Sequence, residues 1–296
     1  MKLKKYIGVL VIALTFLVFG MYLKNNNEVI TQIQKTNLAT IIIVLALYSL
    51  MTVVLIVMSK LILTMSGLSL SNKENAFLTM YSSIINFFGP LQSGPGFRIV
   101  YLKKKHKLKV GEYFKVSLLY YLFFAIVSGL FLINQLLGFL LSILAGVLAL
   151  LAIRIYLIYF SKIINIKLLQ FGNYSNSNYL KLFWLTLLQL VIISTAYFVE
   201  LTSVNSSISY SQALIYCGAA NFSLFVSLTP GALGIRESFI FFSQKLHDIP
   251  TSTIISTSIL DRSLFILFLA LMFIVILLLH GKDYIRPSRS KSTVAD

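Results

Sequence analysis

Apolar residues fall along this chain in long runs, with the polar residues gathered between them. Six runs, near 6–23, 38–63, 113–133, 136–160, 181–202 and 252–280, have the length of about 20 residues that a helix needs to cross a bilayer. Each predicts a spanning helix. Two further apolar stretches, near 76–102 and 208–247, are interrupted in the middle. The first passes from Asn86 through Gly89-Pro90, Gln92 and Gly94-Pro95-Gly96 to Arg98. The second passes from Asn221 to Thr229-Pro230-Gly231-Ala232-Leu233-Gly234-Ile235-Arg236-Glu237.

Proline removes a helix donor and glycine loosens the backbone. A straight lipid-facing helix through either break would leave backbone groups unpaired in hydrocarbon, and broken backbone is tolerated at that depth only inside protein or beside a wet cavity. Both stretches are therefore expected to form re-entrant helical hairpins, with Asn86, Pro90, Gly94, Asn221, Pro230, Gly231 and Gly234 as their backbone-shaping residues. A pair of ordinary interfacial loops is the alternative.

Basic residues choose between topologies. If Lys2, Lys4 and Lys5 lie in the cytoplasm and both broken stretches return to the side they left, the lysines at 60, 73, 103–105, 107, 109, 115, 162, 167, 181, 282 and 291 all stay inside. Lys24, Lys35 and Lys245 fall outside. That bias obeys the positive-inside rule, and a full crossing by the first broken stretch would violate it. The expected fold is an all-α integral membrane protein of about six spanning helices plus two re-entrant hairpins. Each half reads span, span, hairpin, span: 1–135 and 136–281, an inverted repeat, followed by a cytoplasmic tail at 282–296. Both termini are expected in the cytoplasm. A polar loop is expected from Asn173 to Asn178, after an amphipathic stretch at 162–171.

Composition makes lipid the solvent: 58% of the 296 residues are hydrophobic and 11% charged, with a mean hydropathy of +0.88, where a soluble domain carries roughly a quarter charged. The net charge of +16 sits between apolar runs and at the chain ends, a distribution that speaks for topology and anionic lipid headgroups and against nucleic acid. A single cysteine, Cys217, excludes an intrachain disulfide and a multi-cysteine metal site. His106, His247 and His280 are scattered; neither a metal nor a cofactor is expected. His280 reads as an interface marker. The basic N-terminus and its apolar run resemble a signal peptide, but Phe19-Gly20-Met21 is a poor cleavage site, so a retained first span is expected.

Ionisable residues inside a membrane are costly and point to function. Arg98 and Arg236 each follow a Pro/Gly break, and a guanidinium there matches a phosphate fork. Substrate binding is assigned to Arg98, Arg236, Glu237, Asp261 and Arg262, with no catalytic residue. The competing role for Arg236 is structural, pairing with Glu237 or with Asp261 across helices; the Asp261 contact is favoured. Arg98 alternatively reaches the Lys103 cluster by snorkelling. Glu200 reads as an interfacial carboxylate in preference to a proton site. Glu112 reads as a helix cap, Asn86, Asn221 and Gln189 as partners of freed carbonyls, and Tyr120-Tyr121 as belt or packing residues.

Pro230-Gly231-Ala232-Leu233-Gly234-Ile235-Arg236-Glu237 resembles the Pro-Gly-Gly-Leu-Gly-Val-Arg-Glu hairpin of the lysylphosphatidylglycerol synthase transmembrane-region family, a flippase-like membrane domain, and the likeness covers nearly the whole chain. Arg262 also fits its pattern. In the first half Pro90, Gly94 and Arg98 match, whereas Gln92, Pro95, Tyr120 and Tyr121 stand where charged residues are usual. The resemblance implies movement or presentation of lipids across a bacterial plasma membrane. In fused members a soluble domain transfers lysine to phosphatidylglycerol, conferring cationic-peptide resistance; no such domain is expected in this chain. The expected function is translocation of an anionic phospholipid or lipid-linked precursor, with membrane lipids as partners. The alternatives are phosphatidylglycerol lysyltransferase, or its membrane subunit beside a separate soluble transferase, and a non-transporting scaffold for an envelope-synthesis enzyme.

Overall fold

A computed structural model describes residues 35–89, 93–156, 174–226 and 234–285, together with 21, 24 and 232. The expected first span at 6–23 apart from Met21, together with Pro90, Gln92, the stretch at 162–171, Pro230, Gly231 and the tail from 286, lies outside the described residues, as does the His280 side chain. Every described element is a helix: α1 Leu38–Met65, α2 Asn72–Phe88, α3 Ser93–His106, α4 Val110–Ile155, α5 Asn176–Val204, α6 Tyr210–Ser223, α7 Ile235–Phe242, α8 Gln244–His247 and α9 Thr251–Ile285.

Four stretches are long and apolar enough to cross a membrane: Leu38–Met65, Val110–Asn134, Asn176–Val204 and Thr251–Leu279. Large apolar side chains cover their outer faces, Leu38 at 68% exposed and Trp184 at 61% among them. A polytopic membrane protein accounts for such surfaces, which water would not tolerate. The runs near 113–133 and 136–160 meet in α4 across a kink at Gly138 (φ 74°), and beyond it the described residues include the apolar helix Leu144–Ile155.

Local chemistry places the helix starts. Asn37 accepts from the Ala39 amide at 2.9 Å and Ser71 from the Glu74 amide at 3.2 Å, satisfying free donors of the first turns of α1 and α2. Ser209 and Gln212 form a reciprocal capping box at α6. The polar loop expected at 173–178 is shorter than its composition implies: Ser175 accepts from the Asn178 amide at 3.3 Å, and α5 is already helical at Asn176.

Packing orders the helices. Tyr48 meets Glu200 and Thr186 donates to Met58 Sδ at 3.9 Å, so α1 and α5 run antiparallel. α2 and α3 fold back on each other, with Ser82 Oγ donating to the Gly94 carbonyl at 2.7 Å near the apex and Tyr101 donating to Glu74 at 2.6 Å near the base. The closeness at Gly94 is specific: a Cβ there would stand 2.3 Å from Ser82 O. α6 pairs likewise with α7–α8, Gln212 Nε2 donating to the His247 carbonyl at 2.9 Å. The first hairpin follows directly on the C-terminal end of α1. The second has its base where α4 passes Asn134, whose Nδ2 donates to Ser211 Oγ at 3.4 Å. The bases of the two helical pairs thus lie at opposite ends of the helix bundle.

Candidate functional site

Between the two helical pairs, α2–α3 and α6–α8, lies a cavity of about 600 Å³. Asn86 and Pro95 of the first hairpin and Asn221, Ala232 and Arg236 of the second line it, together with side chains from α1, α4, α5 and α9. Its wall combines aromatic rings with one dense group of charges. Such a mixture, mostly apolar with a few convergent polar groups, is the usual character of a small-molecule site.

The charges come from two separate stretches of chain, the start of α7 and the middle of α9. Gly234, with φ 77°, turns the chain into α7, a backbone conformation that suits glycine. Its amide donates to Glu237 Oε2 at 2.9 Å. This fixes the first turn of α7 and aims Arg236 and Glu237 at α9. Arg236 Nη1 donates to Asp261 Oδ2, the contact favoured from sequence. Arg262 closes the square, its Nη2 and Nε donating to Glu237 Oε1 at 2.6 and 3.2 Å. The Arg236 guanidinium also stands 5.9 Å from the Tyr197 ring centroid, a cation–π distance. Both arginines are about nine-tenths buried.

The group extends further than sequence anticipated. Tyr48 Oη lies 2.9 Å from Asp261 Oδ1 and 2.9 Å from Glu200 Oε1. Glu200 is fully buried. The interfacial placement expected for it is wrong, because the last turns of α5 are covered by α1 and α9 rather than by headgroups. Arg236 Nη2 and Arg262 Nη1 are buried without a hydrogen-bond partner among the described residues, as is Glu200 Oε2. Unspent guanidinium donors beside a cavity can receive an anion.

Other expected residues sort differently. Tyr120 and Tyr121 line the cavity in place of a mere packing role, and Tyr120 donates to Gln189 at 3.2 Å. Asn221 donates to Ser128 Oγ at 3.2 Å rather than to a freed carbonyl, tying α6 to α4. Arg98 is not in the cavity wall; its Nη1 donates to Ser59 at 3.2 Å, turning it toward α1. Glu112 pairs with Lys115 at 2.9 Å, and no side chain caps α4. At the base of the first hairpin, Glu74 accepts from Lys105 at 2.7 Å and from Tyr101, and lies 2.8 Å from His106 Nε2. Burial alone would raise its carboxyl, but these contacts outweigh it and hold Glu74 down at about 2. Among the described residues no group of three or more His, Cys, Asp and Glu is placed to hold a metal ion.

Comparison with known proteins agrees with the hairpin motif. No curated protein matches the chain. The family described as lysylphosphatidylglycerol synthase TM region matches residues 6–242, most of the sequence and both hairpin apices. The chain belongs to the lysylphosphatidylglycerol synthase transmembrane-region family, whose lipid-related function it shares in its broad class.

Proposed function

We propose that the protein translocates an anionic phospholipid or lipid-linked precursor across the bacterial plasma membrane. In this proposal the two helical pairs are re-entrant hairpins of an inverted repeat, and the headgroup passes between their apices while its chains stay in lipid. The observation that carries the proposal is the cavity lined by both helical pairs, with Arg236 and Arg262 in its wall and each keeping a buried guanidinium nitrogen without a hydrogen-bond partner among the described residues. A phosphate entering there competes with Asp261 for Arg236, so Glu237 and Asp261 act as resident counter-ions that the substrate displaces. This exchange keeps the site from holding an anion too tightly to release. Arg98 contributes by seating α3 against α1 through Ser59. The basic residues Lys103, Lys104, Lys105, Lys107 and Lys109 draw anionic lipid to the cytoplasmic end, at about 1 kcal/mol each near the surface.

The test is reconstitution into phosphatidylcholine vesicles carrying fluorescent phosphatidylglycerol, with outer-leaflet dye destroyed by dithionite. The protein is expected to expose the inner-leaflet dye, and Arg236→Ala to slow this by about tenfold, equivalent to roughly 1.4 kcal/mol. Equal rates in the two proteins would remove Arg236 as the anchor. The family description favours a second reading, the membrane part of a lysyl-lipid synthase. Lysyl-phosphatidylglycerol formed by the purified chain from lysyl-tRNA and phosphatidylglycerol would establish that reading instead.

A further inference from the structure

We infer that Glu200 is a proton-binding site, occupied at rest and wired through Tyr48 and Asp261 to the cavity, so that a proton is taken up with each anionic headgroup. The proton seat stands on geometry alone; its coupling to a headgroup rests on the translocation proposed above.

Hydrogen counting carries the inference. Tyr48 Oη stands 2.9 Å from a carboxyl oxygen of Glu200 and 2.9 Å from one of Asp261. A phenol has one hydrogen, which can be aimed at one of them. The other contact would set two acceptors face to face in a dry interior unless that carboxyl brings a hydrogen of its own. Asp261 is engaged by Arg236 through its second oxygen, so it has a cation partner that Glu200 lacks. Glu200 is 0% exposed, and its second oxygen has no hydrogen-bond partner among the described residues. A carboxylate so placed would be desolvated without compensation. The hydrogen therefore belongs to Glu200, which donates to Tyr48 while Tyr48 donates to Asp261.

Charge balance agrees. The titratable and charged groups facing Glu200 are Tyr48 from α1, Tyr216 from α6, Arg236 from α7 and Asp261 from α9. With Glu200 neutral, Arg236 and Arg262 are matched by Asp261 and Glu237, whereas an ionised Glu200 would leave an uncompensated negative charge. Glu200 itself does not line the cavity, but Tyr48 and Asp261 do, so the phenol is the bridge between buried acid and solvent.

Coupling follows from the shared arginine. A headgroup that takes Arg236 leaves Asp261 as a buried anion without its cation. The Tyr48 hydrogen then passes to Asp261, Tyr48 receives the Glu200 hydrogen, and one proton from the cavity returns along the same hydroxyl to Glu200. Only O–H bonds are exchanged, and one proton entering with each singly charged headgroup leaves the site neutral. Reciprocity requires that headgroup binding tighten as pH falls.

Two measurements test this on the full-length protein. Infrared difference spectra at neutral pH between wild type and Glu200→Gln are expected to show a carboxylic-acid C=O band present only in wild type. Tyr48→Phe is expected to shift that band without removing it, because the acid loses its acceptor but keeps its proton. A missing acid band in wild type overturns the inference whatever the lipid assays give. In the phosphatidylglycerol vesicles, a pH difference across the membrane is expected to change the wild-type rate several-fold, and Glu200→Gln to abolish that response. An identical response in both proteins overturns the coupling. Vesicles that move no lipid while the acid band is present would count against translocation and leave the proton seat standing.

Discussion

At the scale of single residues, Asp261 is where structure and chemistry meet. Its two oxygens serve different partners, Arg236 and Tyr48, so Asp261→Ala leaves a buried guanidinium without its counter-ion. Such a deletion costs about 3–5 kcal/mol, and the thermal midpoint in detergent is expected to fall accordingly. Arg236→Met in the same chain is expected to restore much of the loss, since the uncompensated charge goes with it; a double variant as unstable as the sum of the two single changes would show that the pair is not coupled. Arg236 and Asp261 were legible as partners because each belongs to a lone pair of adjacent charges, Arg236-Glu237 and Asp261-Arg262, in an otherwise uncharged stretch. Tyr48 and Glu200 were not: they are 152 positions apart, and Tyr48 and Asp261 are 213 apart. A tyrosine in a span looks like any belt aromatic until the helix beside it is known. Glu74 carries the pH prediction. Its carboxyl is lower in the folded protein, at about 2, than in the unfolded chain, so its contribution is whole above the ordinary carboxylate range and is lost as pH falls toward 2. Unfolding midpoints of wild type and Glu74→Gln are expected to differ at pH 6 and to converge as the pH is lowered through that window.

At the scale of elements, the long helices were written in run length and composition, whereas the hairpins were written in Pro and Gly. What the apex residues do could not be read from their type. Gly94 reads in sequence as a breaker, yet it lies inside α3 and its value is nearness: Ser82 Oγ reaches its carbonyl, and a Cβ would collide with Ser82 O and with Asn86 Cβ at 2.7 Å. Both obstacles are backbone or the root of a side chain, so neither can swing aside. Gly94→Ala is therefore expected to splay α2 from α3 at a cost of about 1–3 kcal/mol, seen as faster hydrogen exchange across residues 82–98. Gly96→Ala, where nothing lies within 4 Å of the added carbon, serves as the matched comparison and is expected to leave exchange unchanged. The Gly138 break shows the opposite limit. The boundary between the runs near 113–133 and 136–160 was legible: two helical segments meet across a kink at Gly138, whose φ of 74° and ψ of 164° are not helical.

At the scale of the whole molecule, the decisive relation is that the two helical pairs have their bases at opposite ends of the bundle while both line one cavity. It follows from pairings that no single segment encodes: α1 against α5 head to tail, and Asn134 beside Ser211 at the end remote from Glu74. If these ends lie on opposite sides of a membrane, the exposed residues Lys104, beside the first base, and Lys245, beside the second, must meet different aqueous compartments. With the buried Cys217 replaced by Ala, single cysteines at 104 and 245 are expected to react with an impermeant maleimide from different sides of sealed vesicles. Lys104 should react from the cytoplasmic side, where the basic residues around it are retained. Labelling of both from one side would mean that one broken segment crosses completely. The cavity would then have no second hairpin facing it across the bilayer, and alternating access by opposed apices would lose its physical basis. Labelling from opposite sides leaves the two apices as the thinnest barrier between compartments, with the Arg236–Asp261 pair standing in it.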